Sequence, residues 1–466
     1  MGEPQAAFSD AIAEDLLPCY TECNIRKRRK RANAAYSVCS PICMKRIEAL
    51  LSGIDNCACG KKHSCPIDMV YIGKDALDRL AGLCAPYHRI LLVADENTWD
   101  VCGRAAYETI RDRAQALVLS GGEHVLVPDE AAIAKIEDRL PEGADLIVGV
   151  GSGVINDLCK HVSFTHGLPY AIAATAPSMD GYASVGAALI LGGMKVTLNA
   201  RPPMAIIADT RVLAGAPMEM IKSGWGDIVG KYSCLNDWKL SRLLRGEYFC
   251  QTVYDLVMET ARRVEALASG VAAREEEAVA QLMEALVVVG IAMSYVGNSR
   301  PASGSEHHLS HYFEITGILN GTPYYPHGTD VLYASVVTAR LREMLRASGP
   351  QRQAFDRAAW EREIRRIYTS SADGVIALQE KTGWHHQDDS ETVTEKWNEI
   401  CAVLAEAPDE AQMLAMLRAI GFDMAEFNAL YGSDVISDGI RYAKELKDRY
   451  SVLWLFEGYH APVRWA

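Results

Sequence analysis

An acidic residue and three histidines in the second half of the chain have the types and the order of a metal site. Asp227 lies in the stretch SGWGDIVGKY, where small residues on either side leave room for a bound group. His307 and His311 are four residues apart in SGSEHHLSH and share one face of a predicted helix, and His327 follows in YPHG. A carboxylate and two imidazoles hold a divalent cation and leave coordination positions open, which is typical of a catalytic metal site.

Each of these residues also has an ordinary structural explanation. Asp227 is four residues before Lys231, and an ion pair on one helix face would account for both. A lone histidine is more often a core or surface residue than a ligand. The combination of Asp227 with the later histidines favours the metal site, where a substrate alcohol can release hydride to a nicotinamide.

A glycine-rich turn upstream has the composition of a dinucleotide-binding loop. GVGSGVIND joins an apolar strand to a helix, where glycines let the backbone approach a pyrophosphate. Because the spacing is not GxGxxG, a tight structural turn explains it equally well. Asp95 ends an earlier strand and could bind an adenosine ribose hydroxyl or cap the next helix. TAPSMDGYAS follows another strand, and its hydroxyls suit either phosphate contacts or a turn.

The elements that must position these residues belong to two kinds of structure. From Tyr71 the chain alternates apolar strands and helices, which predicts a parallel sheet with ligands at the carboxyl ends of its strands. The predicted strands are residues 89–95, 124–127, 145–150, 170–175 and 204–209. The predicted helices between them are residues 98–113, 129–140 and 155–166. After residue 216, helical periodicity dominates, and a helix over 218–244 opens this part.

We therefore predict an α/β protein with an N-terminal Rossmann-like parallel-sheet domain and a C-terminal all-α metal-binding domain. Residues 1–70 are a cysteine-rich extension, residues 71–215 the NAD(P)-binding domain and residues 216–466 the helical domain. The metal and the nicotinamide are expected to meet in the cleft between the two domains.

The extension contains a basic run and several closely spaced cysteines. Residues 26–31 read RKRRKR, which is typical of a solvated helix face or, less often, of a surface for an anionic partner. Cys57, Cys59, His63 and Cys65 are soft ligands that a zinc ion could use. Their spacing is not the usual CxxC, so reduced thiols are the default interpretation.

Composition and charge exclude several classes of function. The net charge of −13 argues against nucleic acid as the main partner. No apolar run approaches the roughly 20 residues that span a bilayer. The first residues lack a basic and apolar leader, so we expect a cytoplasmic protein whose 13 cysteines are reduced or bind metal.

Taken together, the motifs resemble a known family. GSGVIND, TAPSMDGYAS, SGWGDIVGKYSCLNDW, SGSEHHLSHYFE and HG, in this order, are similar to sn-glycerol-1-phosphate dehydrogenase, within the iron-dependent alcohol dehydrogenase and dehydroquinate synthase superfamily. The resemblance covers residues 71–337 and implies a dehydroquinate synthase-like fold. It implies reversible reduction of dihydroxyacetone phosphate, a small phosphorylated substrate, with NAD or NADP and one divalent metal (zinc or nickel, with iron possible). We also expect a homo-oligomer, a dimer or larger.

The resemblance assigns roles to individual residues. Asp227, His307 and His327 would be the metal ligands, and Asp180 and His311 would contact substrate, with His311 also relaying a proton. The residues that would hold NAD(P) are Asp95, Gly151, Gly153, Val154, Ile155, Asn156, Asp157, Thr175, Ser178 and Ser184. The acid at position 95 would repel a 2′-phosphate, which favours NAD. Candidates for the substrate phosphate are Lys160, Lys195 and Lys231.

Other functions fit parts of the pattern. One is a different polyol or alcohol dehydrogenase of the same superfamily. Another is a lyase similar to dehydroquinate synthase, although those relatives typically place a glutamate where Asp227 stands. A third, a zinc-dependent interaction protein built on the N-terminal cysteines, would have no use for an Asp/His/His set.

Overall fold

A six-stranded parallel sheet forms the first part of the protein, which we call the sheet half (residues 69–209). The computed structural model describes residues 41–121, 126–192 and 194–465, without the side chains of 41–45, 194 and 195. The strands are β1 (Met69–Gly73), β2 (Ile90–Asp95), β3 (Ala114–Leu119), β4 (Leu146–Gly151), β5 (Tyr170–Ala174), β6 (Gly186–Leu191), β7 (Met194–Asn199) and β8 (Ala205–Asp209). The sheet order is β1-β8-β5-β4-β2-β3, and β6 pairs with β7 in a separate antiparallel hairpin.

The predicted central strands form where the sequence has continuous apolar runs. Every residue of β4 and all but the last of β2 are buried, as in a parallel sheet covered on both faces. Strands and helices also form, to within two residues at each end, at the predicted positions 129–140, 155–166, 170–175 and 204–209.

The prediction for the edge of the sheet is wrong. β3 forms the edge of the sheet beside β2. At the predicted position 124–127, Leu126 and Val127 form no strand, and residues 122–125 lie outside the described residues. Only the two end residues of β3 are buried, so its sequence lacks the continuous apolar run of the central strands. The sequence analysis also does not predict the hairpin of β6 and β7, although β6 is an apolar run.

Helices cover the sheet and precede it. They are α1 (Pro41–Leu51), α2 (Arg79–Cys84), α3 (Glu96–Thr98), α4 (Arg104–Ile110), α5 (Glu130–Arg139), α6 (Gly153–Thr165) and α7 (Thr210–Gly215). The predicted helix 98–113 is interrupted by a π-turn at Trp99–Gly103. The Asp129 side chain starts α5 by accepting a hydrogen bond from the amide of Ala132.

The second part of the chain, which we call the helical half (residues 216–465), contains no strand among the residues that the structure describes. Its helices are α8 (Met218–Val229), α9 (Lys231–Arg245), α10 (Gln251–Glu265), α11 (Ala268–Ala272), α12 (Glu276–Val296), α13 (Ser305–Asn320), α14 (His327–Ser348), α15 (Arg357–Tyr368), α16 (Ala372–Thr382), α17 (Ser390–Glu395), α18 (Trp397–Leu404), α19 (Glu410–Ala419), α20 (Met424–Tyr442) and α21 (Val452–Tyr459). The predicted helix 218–244 is two helices that meet at Gly230. The predicted fold class, a Rossmann-like sheet domain followed by an all-α domain, is confirmed.

Helix α12 lies at the centre of the helical half. By length and composition it could cross a membrane, but 83% of its apolar window is buried inside the protein. It packs on α8, on α10 and on the short helical turn Asp180–Ala183 of the sheet half. A Cβ at Gly290 would lie 2.7 Å from the Cβ of Ala183, so this glycine permits the close approach of α12 to the sheet half.

Some sequence predictions fall outside the part of the chain that the structure describes. The basic run 26–31 lies in the segment before residue 41, and the side chain of Lys195 is not described. The predicted domain boundaries, with segments 1–70, 71–215 and 216–466, stay predictions.

Candidate active site

Three helices bring Asp227, His307 and His327 together, and we call these residues the metal triad. Asp227 lies near the end of α8, His307 in the first turn of α13, and His327 is the first residue of α14. Their candidate ligand atoms all lie within 4.8 Å of one another. His307 Nε2 is 3.6 Å from Asp227 Oδ1, and the rings of His307 and His327 are 5.0 Å apart. One divalent cation could contact all three side chains.

Glycines set the distance between α8 and α14. A Cβ at Gly226 would lie 2.4 Å from the carbonyl oxygen of Gly328, and one at Gly328 would lie 1.9 Å from the carbonyl oxygen of Ser223. The Ser223 hydroxyl accepts a hydrogen bond from the Gly328 amide (3.0 Å) and donates to the Ser178 carbonyl (3.2 Å). The small residues around Asp227 therefore serve backbone packing beside the triad, a role that the sequence analysis does not predict.

Two neighbouring side chains orient the imidazoles. Glu306 Oε1 lies 2.7 Å from His307 Nδ1, and it also accepts a hydrogen bond from the Gly304 amide. The Ser310 hydroxyl lies 3.2 Å from His327 Nδ1. With both Nδ1 atoms occupied, the Nε2 atoms are the ones available to a cation. The sequence analysis misses both residues, although their position inside the histidine motif was a signal.

A buried lysine connects the triad to the sheet half. Lys231 Nζ lies 2.7 Å from Asp227 Oδ1, 2.6 Å from Asp180 Oδ2 and 2.9 Å from the Ala302 carbonyl. The Asp180 amide donates to Asp227 Oδ2 at 2.9 Å. The ion pair considered as the ordinary explanation for Asp227 is thus present, and it lies inside the site.

Local charges hold the ligands in the protonation states that a metal requires. Burial alone would raise the pKa of the Asp227 carboxyl, but the Lys231 ammonium and the two triad imidazoles lower this pKa to about 2. Burial and the neighbouring Lys231 and His327 hold the pKa of His307 well below its usual range. Burial and the Asp227 carboxylate raise the pKa of Asp180 to about 6. At neutral pH, Asp227 is ionised and His307 is neutral.

The other two histidines of the motif occupy different positions. His311 is half-buried, and its ring centroid lies 6.2 Å from that of His307 and 5.5 Å from that of His327. It is therefore beside the triad but outside the group of close ligand atoms. His308 is fully buried on another face of α13, and neither ring nitrogen has a hydrogen-bond partner among the described residues.

The predicted dinucleotide loop lies at the switch point of the sheet. β2 and β4 are neighbours, and the chain continues from β2 to one side of the sheet and from β4 to the other. Asp95 and Gly151 end these two strands, so they face the crevice where open α/β sheets bind ligands. Among the described residues, the Ser152 side chain makes no cap at the start of α6. This helix N-terminus is suited to an anionic phosphate group.

The predicted residues of the glycine turn occupy two kinds of environment. A Cβ at Gly151 would lie 2.6 Å from the Ile155 side chain, so the turn packs tightly against its own helix. Ile155 and Asn156 are fully buried, and the Asn156 side chain donates a hydrogen bond to the Asp157 carboxylate at 3.1 Å. Gly153 and Val154 are half-buried, and the Asp157 carboxylate is 3.3 Å from the Ala188 amide.

The remaining predicted cofactor residues have structural contacts. Asp95 Oδ1 accepts a hydrogen bond from the Thr98 amide (2.9 Å), so its capping role is present. The Thr175 amide donates to the Gly151 carbonyl at 3.1 Å. The Ser184 hydroxyl contacts the Gly181 and Gly186 carbonyls and Lys160. Their contacts with a dinucleotide stay predictions.

Two of the three lysines considered for the substrate phosphate are already saturated. Lys231 has the three acceptors described above. Lys160 Nζ donates to the Gly181 carbonyl (2.7 Å), the Gly186 carbonyl (2.9 Å) and the Ser184 hydroxyl (3.2 Å). Each ammonium has three protons and three acceptors, so neither is suited to a phosphate.

Comparison with known proteins gives consistent results. The family model for iron-containing alcohol dehydrogenase matches residues 71–217. The chain is 32% identical over 328 residues to glycerol-1-phosphate dehydrogenase (NAD(P)+) of Geobacillus stearothermophilus, covering 68% of this chain and 81% of the relative. It is 32% identical over 341 residues to the enzyme of the same name from Geobacillus thermodenitrificans (strain NG80-2), covering 71% and 84%.

Solved structures share the fold. A probable glycerol dehydrogenase from Sinorhizobium meliloti 1021 superposes with a TM-score of 0.56 at 18% identity, covering 84% of this chain and 92% of that one. A 1,3-propanediol oxidoreductase superposes with a TM-score of 0.58 at 14% identity, covering 83% and 94%. At these identities the likeness concerns the architecture.

Proposed function

The chain belongs to the glycerol-1-phosphate dehydrogenase family, and we propose that it interconverts dihydroxyacetone phosphate and sn-glycerol 1-phosphate with NAD(P) and one divalent cation. The observation that carries the proposal is the convergence of the metal triad with Asp180, which follows the carboxyl end of β5 in the sheet half. Asp180 thereby joins the segment after β5 in the sheet half to the candidate cation ligands of the helical half.

The donor set fits a divalent cation. A carboxylate ionised beside Lys231 and two imidazoles oriented by Glu306 and Ser310 are ligands for zinc, nickel or iron. When bound, the cation would polarise a substrate oxygen and the reduced nicotinamide would supply hydride. The uncapped start of α6 fits the pyrophosphate of the dinucleotide.

The chain's own residues supply positioning and proton transfer. Asp180, held by Lys231, is placed to accept a hydrogen bond from a substrate hydroxyl. His311 lies beside the triad and is half-buried, so it can exchange protons with solvent. We assign His311 the transfer of a proton at its imidazole nitrogen to or from the substrate oxygen.

The substrate phosphate requires a cation other than Lys160 and Lys231. Lys447 donates to the Ser303 hydroxyl at 3.4 Å, four residues before His307 along the chain. Its charge adds to burial in lowering the pKa of His307 and of His308, so its field reaches the triad. Lys447 is our candidate for the phosphate-binding residue.

A substitution tests this candidate. Lys447→Gln should raise KM for dihydroxyacetone phosphate at least about tenfold, because hydrogen bonds to charged groups contribute roughly 1.5–3 kcal/mol, and leave KM for unphosphorylated dihydroxyacetone unchanged. Lys381→Gln on the exposed side of α16 is the matched control and should change neither value. Equal changes for both substrates would contradict the assignment.

The activity itself is tested with purified protein loaded with zinc, nickel or iron. Oxidation of NADH or NADPH should depend on dihydroxyacetone phosphate, and the product should be sn-glycerol 1-phosphate by an enantiospecific assay. Failure with all three metals would overturn the proposal. The preference for NAD, a homo-oligomer and a cytoplasmic location remain predictions from the sequence.

A further inference from the structure

A second group of metal-ligating side chains lies outside the site described above. Cys57, Cys59, His63 and Cys250 place four soft donor atoms within 4.8 Å of one another, and we call them the thiol cluster. Cys57 Sγ is 3.6 Å from Cys250 Sγ. His63 Nε2 is 3.3 Å from Cys59 Sγ and 3.5 Å from Cys250 Sγ.

Two of these separations, 3.5 and 3.6 Å, match a tetrahedral zinc site, and the third, between Cys59 and His63, is 3.3 Å. With Zn–S distances of about 2.3 Å and Zn–N distances of about 2.0–2.1 Å, tetrahedral ligand atoms are about 3.5–3.8 Å apart. A disulfide would require sulfurs at about 2.05 Å, far closer than the pair observed. We propose that Cys57, Cys59, His63 and Cys250 bind one structural zinc ion as a Cys3His site.

The histidine is already oriented for this role. His63 is fully buried, and its Nδ1 lies 2.8 Å from the carbonyl oxygen of Tyr295. A carbonyl only accepts hydrogen bonds, so the proton is on Nδ1 and the lone pair of Nε2 points at the sulfurs. Metal-bound histidines are commonly fixed by such a second hydrogen bond.

The loop that carries three of the ligands is closed on itself. Ile54 and His63 exchange two backbone hydrogen bonds of 2.9 and 2.8 Å. Gly60, with φ of +82°, turns the chain directly after Cys59, and its amide donates to the Cys57 carbonyl at 3.0 Å. The three ligands are thus brought to one side before any ion binds, which lowers the entropic cost of binding.

The fourth ligand comes from the helical half. Cys250 is fully buried and immediately precedes α10. Hydroxyl groups also contact the sulfurs, since the Tyr248 hydroxyl lies 3.2 Å from Cys59 Sγ and the Thr252 hydroxyl accepts a hydrogen bond from Cys57 Sγ at 3.5 Å. Four protein ligands leave no open position, which identifies a structural site that links the N-terminal loop to the helical half.

The sequence favours reduced thiols here, and the group of candidate ligands that it offers differs from the thiol cluster in one member. Cys65, which the sequence groups with the other three, is outside the cluster and is buried with a pKa that burial raises to about 11. Cys250 replaces it, and a contact with a residue so distant in sequence could not be read from local spacing.

The test uses the full-length protein in an Asp227→Ala background, where the metal triad is broken. This variant should retain one zinc ion per chain, and its X-ray absorption spectrum should contain Zn–S scattering at about 2.3 Å, a distance that the triad cannot produce. Adding Cys250→Ser should remove the zinc, whereas the matched control Cys65→Ser should retain it. Zinc loss with Cys65→Ser but not with Cys250→Ser would overturn the assignment.

The unsubstituted protein provides a measurement that does not depend on a variant folding. Its zinc spectrum should contain sulfur ligands, and mass spectrometry under non-reducing conditions should find Cys57 and Cys250 as thiols. Zinc bound without sulfur ligands, or a disulfide between these two cysteines, would overturn the proposal.

Discussion

The metal triad and the thiol cluster differ in where their ligands originate and in how many they supply. The triad takes one ligand from each of three helices, whereas the thiol cluster takes three from a closed loop and one from the residue before α10. Three ligands leave positions for substrate, and four do not. The catalytic arrangement depends on the tertiary packing of helices, and the structural one depends mainly on a local loop.

The two sites also differ in how their charge is compensated. The fully buried Asp227 carboxylate is paired with the fully buried Lys231 ammonium, because an isolated buried charge would be costly. The thiol cluster includes two half-buried cysteines and is contacted by neutral hydroxyl groups. If this difference in charge compensation governs function and stability, substitutions at the two sites should have different effects.

The largest expected effect is on turnover. Asp227→Ala removes one of three ligands, so turnover and metal at the triad should be lost while NAD(P) affinity is retained. A folded Cys250→Ser variant should keep turnover but unfold at lower temperature, because structural zinc contributes to folding. Steady-state kinetics, metal analysis and thermal unfolding measure these outcomes. Normal turnover by Asp227→Ala would contradict the ligand assignment.

Removal of the buried lysine should destabilise the protein. Lys231→Met leaves Asp180 and Asp227 without their cation, and breaking a buried pair typically lowers the free energy of unfolding by about 3–5 kcal/mol. The control is Lys239→Met, which breaks the more exposed contact with Glu406 and should cost below about 1 kcal/mol. Urea unfolding of metal-free protein gives both values, and equal losses would contradict the argument.

Smaller effects are expected from the residues that orient the ligands. Glu306→Gln should lower metal affinity at the triad about 10–100-fold, because the partner of His307 Nδ1 loses its charge. Tyr248→Phe should weaken zinc retention at the thiol cluster and leave turnover unchanged. Competition with a chelator measures both affinities. A change in turnover with Tyr248→Phe would mean that the two sites are coupled.

The smallest effect concerns His308, which is fully buried on another face of α13 and belongs to neither site. Burial, with Lys447 and Arg449 nearby, holds the pKa of His308 well below its usual range. Below about pH 6.5 the unfolded chain binds a proton at this position and the folded chain does not, so stability falls as pH falls. His308→Phe should reduce this slope by up to about 1.4 kcal/mol per pH unit. Urea unfolding at several pH values measures it, and an unchanged slope would contradict the prediction.

The sequence predicts the central strands β2 and β4 because their apolar runs can be recognised without knowing which strands lie beside them. It does not predict β3, which is an edge strand with mostly exposed residues. In the active site, residue types and order single out Asp227 and the later histidines, and the resemblance to a known family selects His307 and His327 among them. The role of Ser223 depends on the distance between α8 and α14, which no local pattern encodes, whereas Glu306 directly precedes His307 in the histidine motif.

The same limit applies to the thiol cluster. Local spacing selects Cys57, Cys59 and His63, which share one loop. It selects Cys65 wrongly, because this side chain is buried outside the cluster, and it cannot select Cys250, which reaches the loop only in the folded protein.

The hydrogen bond from the Asp180 amide to Asp227 has a consequence for movement in this enzyme. Rotating the sheet half away from the helical half at this point would deprive Asp227 of its amide donor and Lys231 of one carboxylate. Opening there would therefore dismantle the catalytic centre with every turnover. We therefore expect the contact between Asp180 and Asp227 to be retained when substrate binds.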